Sequence, residues 1–100
     1  MAYVKGCDMR GMLSFQILWL LSKKDMHGEG IAAEIERRRG EKPKAGTLYP
    51  ALKDLSGRGL ILGKKSGKTI TYSLTSKGKA TMKEAKTYFV RCFGEILASG

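Results

Sequence analysis

One hundred residues allow one compact domain and exclude a two-domain enzyme built on a dinucleotide fold. The apolar content of 42% is that of an ordinary globular protein, which excludes general disorder as well. The formal charge of +10 favours a polyanionic partner, with a basic protein lacking such a partner as the alternative. Cys7 and Cys92 form no CxxC or Cys/His pattern, so no metal, disulfide or cofactor is expected, and reduced thiols favour the cytoplasm.

The first predicted helix, at residues 11–22, is apolar nearly all round. It follows residues 1–10, whose mixed composition predicts a loosely held arm. A surface helix needs only one apolar stripe, so this one must be covered on two sides, which suggests a second subunit. Its apolar run at residues 12–21 is too short to span a bilayer, and no cleavage pattern follows it, so no membrane association is expected.

The second predicted helix runs from about residue 29 to residue 39, after residues 23–28 break the pattern. Gly40 is placed to end it, because glycine adopts the left-handed conformation that closes many helices. Three arginines fall in its last turn, namely Arg37, Arg38 and Arg39. They favour either interaction with the helix dipole or contact with phosphate, and both interpretations stay open.

The third predicted helix spans residues 46–57. Pro50 is compatible with a helix that begins here, because N–H groups of the first turn have no intrahelical partner to lose. Apolar residues at helical spacing predict a buried stripe of Leu48, Ala51, Leu52 and Leu55. The opposite face carries Gly46, Tyr49, Pro50, Lys53 and Gly57.

Two strands follow, at residues 60–65 and 69–74, joined by a turn at residues 66–68. Thr75 or Ser76 then caps a long final helix that ends near Ala98. The expected fold class is therefore mainly α with a small β-hairpin, in the element order of a winged helix-turn-helix.

The final helix carries apolar residues at spacings of 3, 4, 3 and 4, a heptad seam that favours contact with a second copy of the chain. Packing of this helix onto its own domain is the alternative. Together with two residues of the first helix, the expected dimer interface comprises Leu13, Ile17, Met82, Ala85, Phe89, Cys92, Phe93 and Ile96.

Two glycine-rich segments resemble nucleotide-binding motifs but lack the required context. Residues 28–33 fit GxGxxA, although no strand precedes them and no room remains for a βαβ unit. Residues 63–69 have three residues between the glycines where a P-loop needs four, and a strand follows where a helix is required. His27, the single histidine, has no catalytic constellation around it, so the sequence predicts no enzyme.

Residues 42–68 combine the third helix with a lysine-rich hairpin and hold seven basic side chains and one acid. In a helix-turn-helix the second helix of the motif, here the third of the chain, presents its exposed face to the major groove. Its N-terminal N–H groups and the hairpin lysines suit phosphates. The expected contacts with double-stranded DNA are Lys44, Thr47, Tyr49, Lys53, Lys64, Lys65 and Lys68. The alternatives are half-buried packing for Tyr49 and protection of an edge strand by the lysines.

Four blocks carry a resemblance to the PadR family of winged-helix transcriptional regulators, over roughly residues 12–97. They are LWLL at 18–21 with HG at 27–28, GTLYPALKDL at 46–55, GLI at 59–61 and YSLTSKG at 72–78. The resemblance implies a winged helix-turn-helix DNA-binding domain in residues 1–75 and a C-terminal dimerisation helix in residues 76–100, forming one structural unit. It also implies a homodimer that binds operator DNA, usually as a repressor.

Two details of the resemblance concern ligands. Some short members of that family bind flat aromatic or cationic compounds between subunits, so a small aromatic effector is a further expectation. Its site would be lined by Trp19, Tyr88, Phe89 and Phe93, with an aromatic dimer core as the alternative. Members often carry Tyr after HG, but Glu29 stands there in this chain, and no DNA role is assigned to it because an acid repels phosphate.

The expected function is therefore a homodimeric, sequence-specific DNA-binding repressor at a pseudo-palindromic operator. High charge in a small chain also fits an architectural protein that coats DNA without sequence preference. A winged-helix protein-interaction module is the third hypothesis, although the basic hairpin opposes it.

Overall fold

In a computed structural model, residues 9–99 form four helices and three short strands, with side chains described from residue 12 onward. The helices are α1 (Met9–Leu21), α2 (Gly28–Arg39), α3 (Ala45–Gly57) and α4 (Ser76–Ser99). The strands β1 (Met26–His27), β2 (Ile61–Ser66) and β3 (Thr69–Leu74) form an antiparallel sheet in the order β1-β3-β2. The arm expected at residues 1–10 lies outside the described residues, as does Cys7, except that residues 9 and 10 begin α1.

The apolar core is built around α1. Leu13, Ile17 and Leu20 are each at most 1% exposed, and α2, α3, α4 and β3 of the same chain all pack on this helix. Full burial of such a side chain contributes about 1.5–3 kcal/mol. These residues therefore need no second subunit to cover them, contrary to the expectation from the apolar pattern of α1.

β1 is an element that the sequence pattern did not predict. Its two residues pair with β3, Met26 opposite Tyr72 and His27 opposite Thr71. Two residues are too few to show the alternation by which a strand is recognised. Because α2 begins at the next residue, β1 fixes the start of that helix to the sheet.

Helix ends follow the local sequence with one difference. Gly40 closes α2 at a φ of +82°, and its N–H donates to the Glu36 carbonyl at 2.8 Å. α3 begins at Ala45, so Pro50 lies in the second turn of the helix, whereas the sequence predicted that it lies in the first turn. The missing N–H of Pro50 leaves the Gly46 carbonyl without its usual helical donor, which costs α3 one hydrogen bond.

Thr75 joins the hairpin to α4. Its hydroxyl donates to the Gly59 carbonyl at 2.7 Å and accepts the Gly78 N–H at 2.9 Å, so it caps α4 as predicted. The Thr75 N–H donates to the Leu60 carbonyl at 3.1 Å. Gly78 is packed so tightly here that a β-carbon would lie 2.0 Å from the Leu60 carbonyl oxygen.

The principal dimensions are 48 × 29 × 24 Å, and α4, with 24 residues, is the longest helix of the described part of the chain. Ile96 and Leu97 near its C-terminal end are 64% and 69% exposed. Across residues 9–99, no helix combines the length and hydropathy needed to cross a membrane.

Candidate nucleic-acid interface

The two faces of α3 differ as the sequence predicts. Its apolar stripe of Leu48, Ala51, Leu52 and Leu55 is at most 4% exposed. Thr47, Tyr49 and Lys53 lie on the exposed side, and Lys44 precedes the first residue of the helix in an extended conformation. The first-turn N–H groups of a helix point outward from its N-terminus, where an anion is stabilised. The core therefore holds a polar helix face toward solvent.

Tyr49 combines exposure with a close packing contact. The residue is 43% exposed, yet its ring edge lies against the backbone of Gly28 at the start of α2. A β-carbon at Gly28 would meet the Tyr49 hydroxyl at 2.7 Å. Half-buried packing, the alternative considered for this tyrosine, therefore describes one edge of its ring, while the rest of the side chain is open to solvent. No sequence pattern connects the two residues, so Gly28 was missed as part of the site.

The hairpin formed by β2 and β3, here called the wing, places its lysines on two faces. Lys65 lies opposite Ile70, and Lys64 lies opposite Thr71. Successive residues of a strand point to opposite sides of the sheet, so these two lysines do not share a face. Lys68 stands in the turn beside Gly67, whose φ of +64° suits glycine. The three lysines are exposed.

An open groove separates α3 from the wing. Its walls are formed by Tyr49, Lys53, Ser56, Ile61, Leu62, Gly63, Ile70 and Tyr72. The Tyr72 ring lies over Gly63, where a β-carbon would come within 3.1 Å of it. Burial, together with the nearby Tyr49, raises the pKa of the Tyr72 phenol. Tyr72 is therefore neutral at physiological pH, and only 9% of the residue is exposed.

Two acidic groups of α2 are paired with basic side chains. Glu29 lies 3.7 Å from Lys42, between the starts of α2 and α3. Hydrogen bonds from Arg38 and Arg37 lower the pKa of the Glu34 carboxyl to about 2, so it remains ionised at physiological pH. Two of the three arginines at the end of α2, Arg37 and Arg38, thus form ion pairs with Glu34 of the same helix.

The predicted dimer residues divide into three environments. Leu13 and Ile17 belong to the core of their own domain. Met82, Ala85 and Phe89 are partly buried, and Phe89 stacks on Phe15 of α1 with ring centroids 5.8 Å apart. The last three, Cys92, Phe93 and Ile96, are exposed on α4. An apolar surface thus remains along the second half of α4, whereas the α1 residues do not reach it.

The four aromatic residues considered for an effector site are not equivalent. Phe89 and Phe93 contact each other, with ring centroids 4.9 Å apart. Tyr88, on the next face of α4, is 49% exposed. Trp19 is flanked by the Lys23 ammonium, 4.6 Å from its ring centroid, and the Arg38 guanidinium at 5.1 Å. Trp19 therefore already has cationic partners within its own chain. Within the described residues, no group of His, Cys, Asp or Glu could hold a metal ion.

The helix order, the three-stranded sheet and the basic wing beside an exposed α3 define a winged-helix DNA-binding transcriptional regulator. The sequence profile of the PadR-like family of transcriptional regulators matches residues 17–84, and the chain belongs to that family. The family consists of transcription regulators and not enzymes, which confirms the prediction of no enzymatic activity.

Solved structures confirm the fold. A PadR-like transcription factor from Bacteroides fragilis is 25% identical, with a TM-score of 0.80 over 97% of this chain and 98% of that one. A PadR family transcription regulator from Clostridium difficile is 31% identical, with a TM-score of 0.69 over 87% and 95% of the two chains. RosR from H. salinarum is 29% identical, with a TM-score of 0.73 over 81% and 74%. No curated protein matches the sequence.

Proposed function

We propose that the chain is a homodimeric, sequence-specific repressor that binds a pseudo-palindromic operator. The observation that carries this proposal is the polar face of α3, held outward by a buried apolar stripe beside a wing with three exposed lysines. Each subunit would place α3 in a major groove, with half-sites about one helical turn apart. Such a regulator acts where the DNA is, which supports a cytoplasmic location.

Affinity and specificity would arise from different residues. Lys44, Lys64, Lys65 and Lys68 carry charge suited to phosphates, which fix register but hold no sequence information. Thr47, Tyr49 and Lys53 on α3 have the polar groups that read base edges. This division predicts that the wing sets salt dependence and α3 sets sequence preference.

Dimerisation would use α4. Two residues of the predicted interface on this helix, Phe93 and Ile96, are 44% and 64% exposed in the single chain. A second copy of the helix would remove them from water, which stabilises the pair by about 25 cal/mol per Å² of apolar surface. The proposed interface comprises Met82, Ala85, Phe89, Cys92, Phe93 and Ile96, without the two core residues of α1. Residues 1–75 would bind DNA and residues 76–100 would dimerise.

A flat aromatic effector would bind between the subunits beside Phe89 and Phe93. These two rings lie at the boundary between the covered and exposed parts of α4. Trp19 would contribute only if such a ligand displaced one of its cationic neighbours. Isothermal titration with a panel of planar aromatic cations tests this part of the proposal, and heats equal to dilution for the whole panel would reject it.

The experiment that tests the function is selection of the purified protein against random duplex DNA at about physiological salt, followed by sequencing. An enriched motif with two-fold symmetry is the expected result, and it identifies the operator. Retained DNA without a motif would instead support an architectural protein. Absence of retained DNA would refute DNA binding by the free protein and favour an interaction module. A reporter placed downstream of the enriched site then tests repression, which predicts lower expression when the protein is present.

A further inference from the structure

Gly28 occupies a place where any larger residue would displace Tyr49. It is the first residue of α2, is buried, and directly follows β1. A β-carbon there would lie 2.7 Å from the Tyr49 hydroxyl oxygen and 3.0 Å from the Tyr49 Cε1 atom. Separations under about 3 Å are repulsive for these atoms, so alanine would force the ring away.

The ring of Tyr49 also has neighbours on the side of the wing. It lines the groove together with Tyr72, whose own ring rests on Gly63. β1 connects the two contacts, because Met26 pairs with Tyr72 and Gly28 follows two residues after Met26. Tyr49 thus packs against the start of α2 and lines the groove that faces the sheet, with 43% of the residue open to solvent.

We propose that Gly28 is a positioning residue for sequence recognition, because it lets the Tyr49 ring rest on α2 with its hydroxyl in one orientation. The inference rests on the proposed function, in which Tyr49 lies on the DNA-facing side of α3. An exposed side chain that is ordered before binding loses less conformational entropy when it meets a base or phosphate, and it presents its donor at one place only. Gly28 acts through Tyr49 and needs no contact with DNA itself.

The test uses two glycines of the same helical turn. Gly28→Ala creates the clash, whereas a β-carbon at Gly30 would lie 3.5 Å from the nearest His27 ring atoms, an ordinary contact. Fluorescence anisotropy measures affinity for the selected operator and for a random duplex. Gly28→Ala should reduce the preference for the operator by roughly tenfold, the value of one hydrogen bond to a charged or base-edge group. Gly30→Ala should leave the preference unchanged.

A double-mutant cycle separates positioning from general damage. In a Tyr49→Ala background there is no ring to displace, so adding Gly28→Ala should change the operator preference less than twofold. An undiminished tenfold loss in that background would overturn the proposal. If Gly28→Ala alone does not fold, Gly28→Ala/Tyr49→Ala should fold again because the clash is gone. A double variant that also fails to fold would overturn the proposal as well.

The ring contact is measured independently of DNA. In NMR spectra of the free protein with labelled tyrosine, Gly28→Ala should shift the ring signals of Tyr49, and Gly30→Ala should not. Unshifted signals would refute the contact even if DNA binding is intact. Wild-type protein that binds no duplex would refute the proposed function and the recognition role, while the shifted ring would still establish the contact.

Discussion

Removal of the three wing lysines should weaken binding to every duplex and flatten its salt dependence. In the variant Lys64→Ala/Lys65→Ala/Lys68→Ala, three exposed cations at one end of the sheet are lost. Each phosphate neutralised contributes about 0.9 to the slope of log K against log salt, so three contribute about 2.7 per subunit and about 5.4 for the two wings of the proposed dimer. Between about 50 and 200 mM salt, the wild-type dimer should therefore lose roughly 1,800-fold more affinity than the variant. Anisotropy titrations at four salt concentrations give both slopes.

A matched control removes the same charge from another part of the chain. Lys83→Ala/Lys86→Ala/Arg91→Ala lowers the net charge equally, at exposed positions of α4. Its salt slope should stay within about 0.5 of the wild-type value, since these groups are not expected to meet phosphate. Equal flattening in both variants would mean that total charge, and not the wing, sets the slope. An unchanged slope in the wing variant would refute phosphate contact by the wing.

Three further predictions concern stability, assembly and specificity. Gly78→Ala would place a β-carbon 2.0 Å from the Leu60 carbonyl oxygen, and should destabilise the fold by about 3 kcal/mol, lowering Tm by more than about 10 °C. Gly94→Ala is the control in the same thermal melts followed by circular dichroism, because its β-carbon would lie 3.6 Å from the nearest atom, Cγ1 of Val90. Equal melting temperatures for the two variants would contradict the packing of α4 on Leu60. Ile96→Glu should halve the mass measured by sedimentation. Ile96 is 64% exposed, so its replacement leaves the domain core intact. An unchanged mass would exclude the proposed dimer contact. Lys53→Ala should weaken binding to the operator more than to random DNA by anisotropy, and equal losses would reassign Lys53 to phosphate contact.

The sequence predicted α3 and its orientation because helical periodicity and burial have a common cause. Leu48, Leu52 and Leu55 recur at the spacing that forms one face of a helix, and all three are buried. The polar residues between them then have only the opposite face available. The same reasoning predicted the wing, because alternation of apolar and polar residues is the signature of a half-buried strand.

Contacts between separate helices and strands cannot be predicted from these local sequence patterns. The approach of Tyr49 to Gly28 joins residues 21 positions apart, at a distance that depends on how α2 and α3 pack. The spacing of apolar residues in α4 likewise does not show which surface each of these residues contacts. It could not show that Phe89 stacks on Phe15 of its own chain while Ile96 stays exposed. Apolar character alone does not distinguish a core from an interface, so the sequence predicts a dimer surface for Leu13, which the structure buries in the core of its own chain.

The packing of α4 along its first half gives its second half the geometry of a lever. Thr75 and Gly78 hold its first turn against the base of the wing, and Phe89 stacks on Phe15 of α1, whereas Ile96 and Leu97 near its end are 64% and 69% exposed. At 1.5 Å per residue, the ten residues after Phe89 span about 15 Å. A tilt of about 5° at Phe89 would therefore move the far end by about 1.3 Å. Conversely, in the proposed dimer a displacement of that size at the far end would correspond to a slight rotation of the rest of the domain, so contacts made far from the DNA would set the angle between the two DNA-binding units.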